Sequence, residues 1–342
     1  MKVILASSER FAGCMVHALI RAGHEVVGVF SPIQGIYDHQ FESWRYAVYS
    51  WIDWDIASAC KRHKVPFRVS RHLGDGSAKI FIRQSNADVL VVFGWPRLIS
   101  QEVLDMFPHG GINIHPSLLP KMRGGDPIYA LVEQYQLQFG ITFHKLTSEL
   151  DAGPIYLQKP LDFSPYHTYD YLYFKAIRAI NRNMSKAMDA MRANPNGFPQ
   201  RGEATVAATF KRKIRFLDAE DPIALVSRRA LACYSHHAML TSLGQEIVSF
   251  SQCHRIHPGH SQQVAPGTLI AVRPFSLDVK LGDGHARLGG IRFWNHPWWR
   301  TPFLLSKHFQ PSGNLGSPRH TKACLRNKKR LQTPLEPSSE SQ

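Results

Sequence analysis

The feature that most constrains the fold is a series of short apolar runs that alternate with helical segments over the first hundred residues. These runs lack polar alternation, which indicates strands buried on both faces of a parallel sheet. Alternating strands and helices predict a doubly wound, mostly parallel α/β domain of the Rossmann-like kind, whose ligands bind beyond the carboxyl ends of the strands. The predicted strands are 2–6, 25–30, 65–69 and 87–93, with helices over 11–22 and 56–63.

The pattern changes after a helical stretch over residues 168–192. A segment dense in Pro, Gly and Asn follows at 194–202, which is typical of a boundary between domains. Short strands separated by turns then predict a small OB-like β-barrel. We therefore expect an α/β domain over 1–192, a linker over 193–209, the barrel over 210–309 and a disordered basic tail over 310–342.

Charge is distributed unevenly along the chain. The formal net charge is +15 over 342 residues, and residues 206–342 hold 19 of the 41 Lys and Arg but only 8 of the 26 Asp and Glu. Such a surplus favours polyanionic partners, nucleic acid among them. Five scattered cysteines without a CxxC pair argue against a disulfide framework. With no apolar run long enough to span a membrane, we expect a cytoplasmic protein that does not engage the membrane.

The segment from Gly111 to Gly124 carries the first candidate chemistry. Asn113 and His115 lie two positions apart, so on a strand their side chains share one face. An amide beside an imidazole can polarise a carbonyl, hold the resulting oxyanion and titrate near neutral pH. A hydrogen-bonded structural pair fits the same pattern and stays open at this point.

A second candidate lies after a short strand at 140–144, where Asp151 is followed by Ala-Gly-Pro. A carboxylate in such a turn can face a cleft, accept a proton or orient water, although turn aspartates also serve as capping residues. Residues 31–54 form a long aromatic-rich loop, either a substrate lid or packing for the domain. No metal site is expected, since Cys253 and the following histidines have no second Cys pair.

Three separated motifs appear in order: Asn113-Ile-His-Pro-Ser-Leu-Leu-Pro120 with Arg123-Gly124, then Gly140-Ile-Thr142, then Leu150-Asp151-Ala-Gly153. Together they resemble the signature of the folate-dependent formyltransferases over roughly residues 1–190. The resemblance implies 10-formyltetrahydrofolate as formyl donor and an amine as acceptor. It implies that Asn113 and His115 hold the formyl oxygen and that Asp151 handles the proton of the amine.

The resemblance also assigns binding residues. The folate pocket would lie beside the loop after the strand that ends at Phe93, with the segment before Asp151 as the opposite wall. Its residues would be Phe93, Gly94, Trp95, Arg97, Leu98, Ile99, Leu146, Thr147 and Leu150. Acceptor contacts would fall on Ser117, Leu119, Arg123, Lys211, Arg212 and Lys213, the last three as contacts to a phosphate backbone.

The layout, with a diffuse match beyond residue 207, is most similar to the methionyl-tRNA branch of this family. Three features depart from that branch: Pro116 after the histidine, Gly125-Asp126 before a proline, and the aromatic loop. They favour the alternative of a small-molecule amine formyltransferase acting on a nucleotide amino-sugar, siderophore or peptide. A formyltetrahydrofolate hydrolase and a non-catalytic binding module are the further alternatives. The acceptor and the oligomeric state are left open by the sequence.

Overall fold

The computed structural model describes residues 1–9, 12–32, 55–134, 138–164, 166–207, 216–233, 239–257, 263–293, 296–297, 300–308 and 312–330. Its contacts divide the chain into two units, one formed by 1–131 with 135–209 and the other by 132–134 with 210–342. The aromatic loop, apart from residues 31 and 32, and the basic cluster at 211–215 lie outside the described residues.

The first unit is built on a seven-stranded sheet of order β3-β2-β1-β4-β5-β6-β7. β1 to β5 pair in parallel, whereas β6 pairs antiparallel with both β5 and β7. The predicted mostly parallel α/β sheet is therefore confirmed. The strands are Lys2–Ser7, Glu25–Ser31, Phe67–Val69, Val89–Phe93, Gly111–His115, Phe139–Lys145 and Ile155–Leu161, numbered β1 to β7.

Apolar side chains explain why this sheet forms. Every residue of β4 is buried, as are all residues of β1 after Lys2, because helices cover both faces of the sheet. The helices Gly13–Arg21 and Tyr169–Ala193, the latter of 25 residues, contribute most of the buried helical side chains of this unit. The helices of this unit are Gly13–Arg21, Ile56–His63, Gly76–Ser85, Gln101–Leu104, Pro127–Glu133 and Tyr169–Ala193, numbered α1 to α6.

Strand order reverses direction beside β1, whose neighbours are β2 and β4. At such a switch point the loops that leave adjacent parallel strands diverge and open a crevice. Ser7 pairs with Phe93 at the carboxyl ends of β1 and β4, and Phe93 pairs with Ile114 of β5. The edge of the sheet beyond these three strand ends therefore positions the candidate site.

The second unit contains two antiparallel sheets, of order β10-β13-β12-β11 and β14-β9-β8. The short strands that the sequence predicts after the linker are confirmed, and they pair antiparallel. Its helices, α7 to α9, are Ile223–Ala232, Thr301–His308 and Pro318–Arg330. The strands β8 to β14 are Met239–Leu243, Glu246–Phe250, Gln252–Ile256, Leu269–Arg273, Ser276–Leu281, Gly284–Gly289 and Arg292–Phe293.

The prediction of a disordered tail from residue 310 is wrong for residues 312–326. Leu315 bridges to Leu243 of β8, and Cys324 of α9 is buried in a cluster with Leu240 and Ile247. Thr321 is also buried and hydrogen-bonds Ser242 at 3.0 Å. A few apolar and hydroxyl side chains on one face of a basic helix suffice to hold it, a pattern that overall composition conceals. None of the described helices is both long and apolar enough to cross a membrane.

Candidate active site

The register between β5 and β6 sets the positions of the predicted catalytic residues. Asn113 pairs with His144 and His115 with Thr142. Because side chains alternate along a strand, Asn113 and His115 project to the same face of the sheet. His115 is buried and Asn113 is half-buried, so both stand at the inner edge of the site.

Asp151 joins them from the turn that follows β6. Its backbone is in the left-handed region, with φ of 48°, and its side chain is buried. Oδ1 accepts a hydrogen bond from Asn113 Nδ2 at 2.8 Å, and Oδ2 accepts one from the backbone N–H of Gly124 at 2.7 Å. The structure thus brings Asn113, His115 and Asp151 into one cluster.

The ring of His115 is held between a carbonyl and this carboxylate. Nε2 lies 2.7 Å from the carbonyl oxygen of Met122, a distance at which the ring N–H donates. Nδ1 then faces Oδ2 of Asp151 at 3.5 Å. Burial lowers the pKa of His115 and outweighs the opposing effects of Asp151 and Met122, so the imidazole is neutral at pH 7.

In Asp151 the neighbouring groups, and not burial, determine the direction of the pKa shift. Burial alone would raise the pKa of this carboxyl, but three effects together lower it well below its usual range: the hydrogen bond with His144, the charge that His115 carries when it is protonated at low pH, and the N–H of Gly124. Asp151 is therefore ionised at neutral pH. An anionic carboxylate beside a neutral imidazole and an amide can polarise a carbonyl and accept a proton in turn.

His144 is a member of the cluster that the sequence did not reveal. Its Nδ1 lies 2.9 Å from the carbonyl of Lys145, and its Nε2 lies 3.1 Å from Asn113 Nδ2 and 3.4 Å from Asp151 Oδ1. In the sequence it is only the last residue of a short predicted strand. Its role follows from the antiparallel register of β6 against β5, which no local pattern specifies.

A cavity of about 630 Å³ lies against this cluster. The three predicted catalytic residues line it, and so do all nine residues predicted for the folate pocket. Those nine are Phe93, Gly94, Trp95, Arg97, Leu98, Ile99, Leu146, Thr147 and Leu150. The volume lies within the usual range of ligand pockets, and both apolar and polar side chains line the cavity.

Four further polar residues line the same cavity and were not foreseen: Glu9, Asp126, Tyr169 and Tyr173. Burial raises the pKa of Glu9 to about 7, although the hydroxyl of Tyr173 donates to its carboxylate at 2.7 Å. Burial likewise raises the pKa of Asp126 to about 6, against the stabilising N–H of Tyr129. Part of the cavity wall therefore changes charge close to neutral pH.

Gly94 lets the side chain of Glu9 reach this wall. Its φ of 62° is in the left-handed region, and a Cβ there would lie 2.4 Å from Cγ of Glu9. A side chain at position 94 would thus displace Glu9 as well as strain the backbone.

Two of the predicted acceptor contacts, Ser117 and Leu119, are not part of the cavity lining. Both are buried: the Ser117 hydroxyl donates to the carbonyl of Lys121 at 2.7 Å, and the Leu119 N–H lies 3.3 Å from Thr142 Oγ1. These hydrogen bonds lie within the loop after β5 or join it to β6, and the assignment of the two residues to the acceptor stays a prediction.

Arg123 does not line the cavity either. Its guanidinium is directed to Gln200 and Glu149, with the shortest distance 2.7 Å to Gln200 Oε1. The assignment of Arg123 to the acceptor stays a prediction. Lys211, Arg212 and Lys213 lie outside the described residues.

The chain matches the family model described as formyl transferase over residues 3–188. It is 26% identical over 295 residues to the methionyl-tRNA formyltransferase of Thermotoga maritima, a match that covers 86% of this chain and 91% of the relative.

Two solved structures share the fold. HypX from Aquifex aeolicus in complex with tetrahydrofolic acid has a TM-score of 0.58 at 16% identity, covering 90% of this chain and 48% of HypX. A methionyl-tRNA formyltransferase from Clostridium thermocellum has a TM-score of 0.50 at 16% identity, covering 76% of this chain and 95% of the other.

Proposed function

The chain belongs to the formyl transferase family, and on that premise we propose that it moves the formyl group of 10-formyltetrahydrofolate to a primary amine, with the amino group of methionyl-tRNA as acceptor. One observation carries the proposal. The three groups that can perform the transfer, Asn113, His115 and Asp151, line the same cavity as the residues assigned to the folate.

The donor would occupy the part of the cavity between the loop after β4 and the segment before Asp151. Leu98, Ile99 and Leu150 supply apolar surface there, and the backbone of the loop supplies hydrogen-bonding groups. A flat ring with a polar edge fits such walls, because apolar faces bind it and backbone groups read its edge.

The chemistry assigns a role to each member of the cluster. The neutral amine attacks the formyl carbon, a new C–N bond forms, and the carbonyl oxygen becomes an oxyanion to which the Asn113 amide donates. His115 can donate to it from Nδ1 once that nitrogen has taken up a proton. The amine then loses a proton to the His115–Asp151 pair, directly or through water. The bond from the formyl carbon to N10 breaks as N10 gains a proton, so atoms and charge balance.

The tautomer of His115 suits these reaction steps. With its Nε2–H given to Met122, Nδ1 is the nitrogen that can take up a proton. The imidazolium that forms is stabilised by the anionic Asp151, 3.5 Å away. A group with a pKa below its ordinary value is available as a base at neutral pH.

Methionyl-tRNA is favoured as acceptor by the named relative that this chain matches over most of its length. The positive charge beyond residue 205 supports the same acceptor, because basic side chains contact a phosphate backbone. We propose that the antiparallel sheets of the second unit form an OB-like barrel that contributes to this contact. An enzyme of this kind would act in the cytoplasm, where both substrates are found.

A small-molecule amine is the second candidate acceptor. Glu9 and Asp126 place two carboxyl groups on the cavity wall, and neither has a Lys, Arg or His partner among the described residues. Carboxylates near the transfer site favour a small cationic amine that enters the cavity without a nucleic acid attached.

Incubation with 10-formyltetrahydrofolate and a panel of acceptors, followed by mass spectrometry, separates these possibilities. The panel holds methionyl-tRNA, a nucleotide amino-sugar and a diamine. N-formylmethionine on the tRNA supports the proposed function, whereas formylation of a small amine alone replaces the acceptor. Release of formate without any acceptor identifies a hydrolase, and an inert donor contradicts transfer altogether.

A further inference from the structure

The segment after α6 packs against the active site, although its composition is that of a linker. Phe198 and Ile155, the first residue of β7, exchange two backbone hydrogen bonds of 2.7 and 2.9 Å. From this anchor residues 200–207 run past both loops that carry the catalytic groups. These residues lie beyond 188, where the match to the family model ends.

Gln200 makes the most direct contact. Its Nε2 donates to the backbone carbonyls of Asp151 and Gly153, both at 2.8 Å. Its Oε1 accepts two bonds from the guanidinium of Arg123, at 3.2 and 2.7 Å. Every hydrogen-bonding group of this half-buried amide is thus directed to the two loops beside the cavity.

The bond to Asp151 acts where the backbone most needs support. A non-glycine residue at φ of 48° is held against its local backbone preference. Fixing the Asp151 carbonyl fixes the orientation of its peptide unit and therefore the direction of its side chain. That direction places the carboxylate on Asn113 Nδ2 and on the N–H of Gly124.

Thr205 holds the loop after β5, which contains Met122 and Arg123. Its Oγ1 accepts from the N–H of Met122 at 2.9 Å, and its carbonyl accepts from the N–H of Arg123 at 2.8 Å. The carbonyl of Met122 is the group that accepts the ring N–H of His115. Ala207 also holds this loop, since its N–H donates to the carbonyl of Arg123 at 2.9 Å.

We propose that residues 198–207 are part of the active site and that Gln200 is a positioning residue, which acts on the reaction through Asp151. Gln200 does not line the cavity, so it contacts neither donor nor acceptor. The inference rests on the proposed catalytic role of Asp151 and extends the functional unit past the segment shared with the family model.

Three variants test this role. Gln200→Met keeps the side-chain volume and removes both the hydrogen-bond donor and the acceptor of the amide. Gln200→Glu keeps an acceptor for Arg123 but cannot donate to the two carbonyls. Asn194→Leu is the matched control, because Asn194 also donates to a backbone carbonyl of this segment, that of Gly197 at 3.2 Å, without touching Asp151.

We expect kcat to fall about 10- to 100-fold in both Gln200 variants, since a misplacement of about 1 Å is enough for such a loss. KM for 10-formyltetrahydrofolate should stay within about twofold, and Asn194→Leu should keep the kcat of the unmodified protein. A Gln200→Glu variant with normal kcat would show that only Arg123 depends on Gln200 and would overturn the proposal.

A measurement without any acceptor separates this inference from the proposed function. NMR titration of the His115 ring in the full chain should give a lower pKa in Gln200→Met than in the unmodified protein, because the Asp151 charge that raises it is no longer held in place. Asn194→Leu should leave the titration unchanged. If the His115 titration in Gln200→Met is identical to that of the unmodified protein, the positioning role of Gln200 is contradicted. If the titration shifts as expected but the protein does not formylate methionyl-tRNA, only the proposed acceptor is contradicted.

Discussion

The side-chain amide of Asn113 donates to Oδ1 of Asp151 at 2.8 Å, although 38 residues separate them in the chain. Asp151 therefore does two things at once: it orients the amide that would hold the oxyanion, and it faces Nδ1 of His115 across 3.5 Å. Removing its charge should weaken both functions, which makes this carboxylate the point at which the site is most sensitive.

Asp151→Asn should lower kcat by about 100-fold or more, in line with the usual contribution of a positioned acid–base group. The substitution keeps the shape of the side chain, so donor binding should change little. Steady-state kinetics with varied donor measure kcat and KM separately, and circular dichroism checks the fold. A kcat within about threefold of the unmodified protein would remove Asp151 from the mechanism.

The pH dependence of transfer should be governed by His115. Its pKa is lowered from 6.5, so the ratio of kcat in the unmodified protein to kcat in His115→Ala, in which the titration of the acceptor amine cancels, should be level from about pH 8 to 6.5. The ratio should fall as the pH drops through the lower value and the base is protonated. Asp151 adds no second acidic limb above pH 4, because its own pKa lies below the usual range. A limb centred above pH 7 is the outcome that this assignment cannot accommodate.

Glu9→Gln tests the electrostatics of the cavity wall. The folded-state pKa of about 7 lies above the ordinary value of 4.5, so the folded protein holds this proton more tightly and loses stability as the pH rises from about 4.5 to 7. Glutamine mimics the protonated form. The Tm of Glu9→Gln should exceed that of the unmodified protein by about 2–4 °C at pH 8 and should match it near pH 5.

The control for that experiment is Glu25→Gln, since Glu25 is an exposed residue at the start of β2. It should leave the Tm nearly unchanged at both pH values. Thermal unfolding of the three proteins at pH 5 and pH 8 is the measurement. A Tm gain for Glu9→Gln that is equal at both pH values would assign the effect to packing instead of charge.

Gly153→Ala should be strongly destabilising. A Cβ at this position would lie 1.9 Å from the carbonyl oxygen of Lys145, which is backbone of β6 and cannot move aside. We expect a loss of at least about 2 kcal/mol in the free energy of unfolding, measured by urea denaturation. Gly74→Ala is the control, because no atom lies within 4 Å of its Cβ position, and it should be nearly neutral.

Much of the fold was predictable because buried strands leave a dense local signal. β1, β2 and β4 are apolar runs, and the helix over 56–63 begins at Asp55, whose carboxylate accepts from the N–H of Ser58. α3, over 76–85, was not predicted: its buried residues are Ala78 and Ile82 alone, so its apolar stripe is too narrow to stand out.

The site shows the same difference between residues that a local pattern reveals and residues that it does not. Asn113, His115 and Asp151 could be named because the motifs around them resemble those of a known family, and the folate wall beside the strand end at Phe93 was implied by the same resemblance. Gln200 and His144 could not, since each acts through a partner that only strand register or chain return brings near. Glu9 was missed for the same reason: a charged residue after a strand has no marked environment until the cavity exists.

The most direct test of the central claim is the single-turnover rate of formyl transfer from bound 10-formyltetrahydrofolate to methionyl-tRNA, measured for the unmodified protein and for His115→Ala, with donor affinity measured in parallel. The proposed mechanism predicts N-formylmethionyl-tRNA from the unmodified protein, a rate at least about 100-fold lower in the variant, and donor affinities within about threefold of each other. Near-normal transfer by His115→Ala would contradict it.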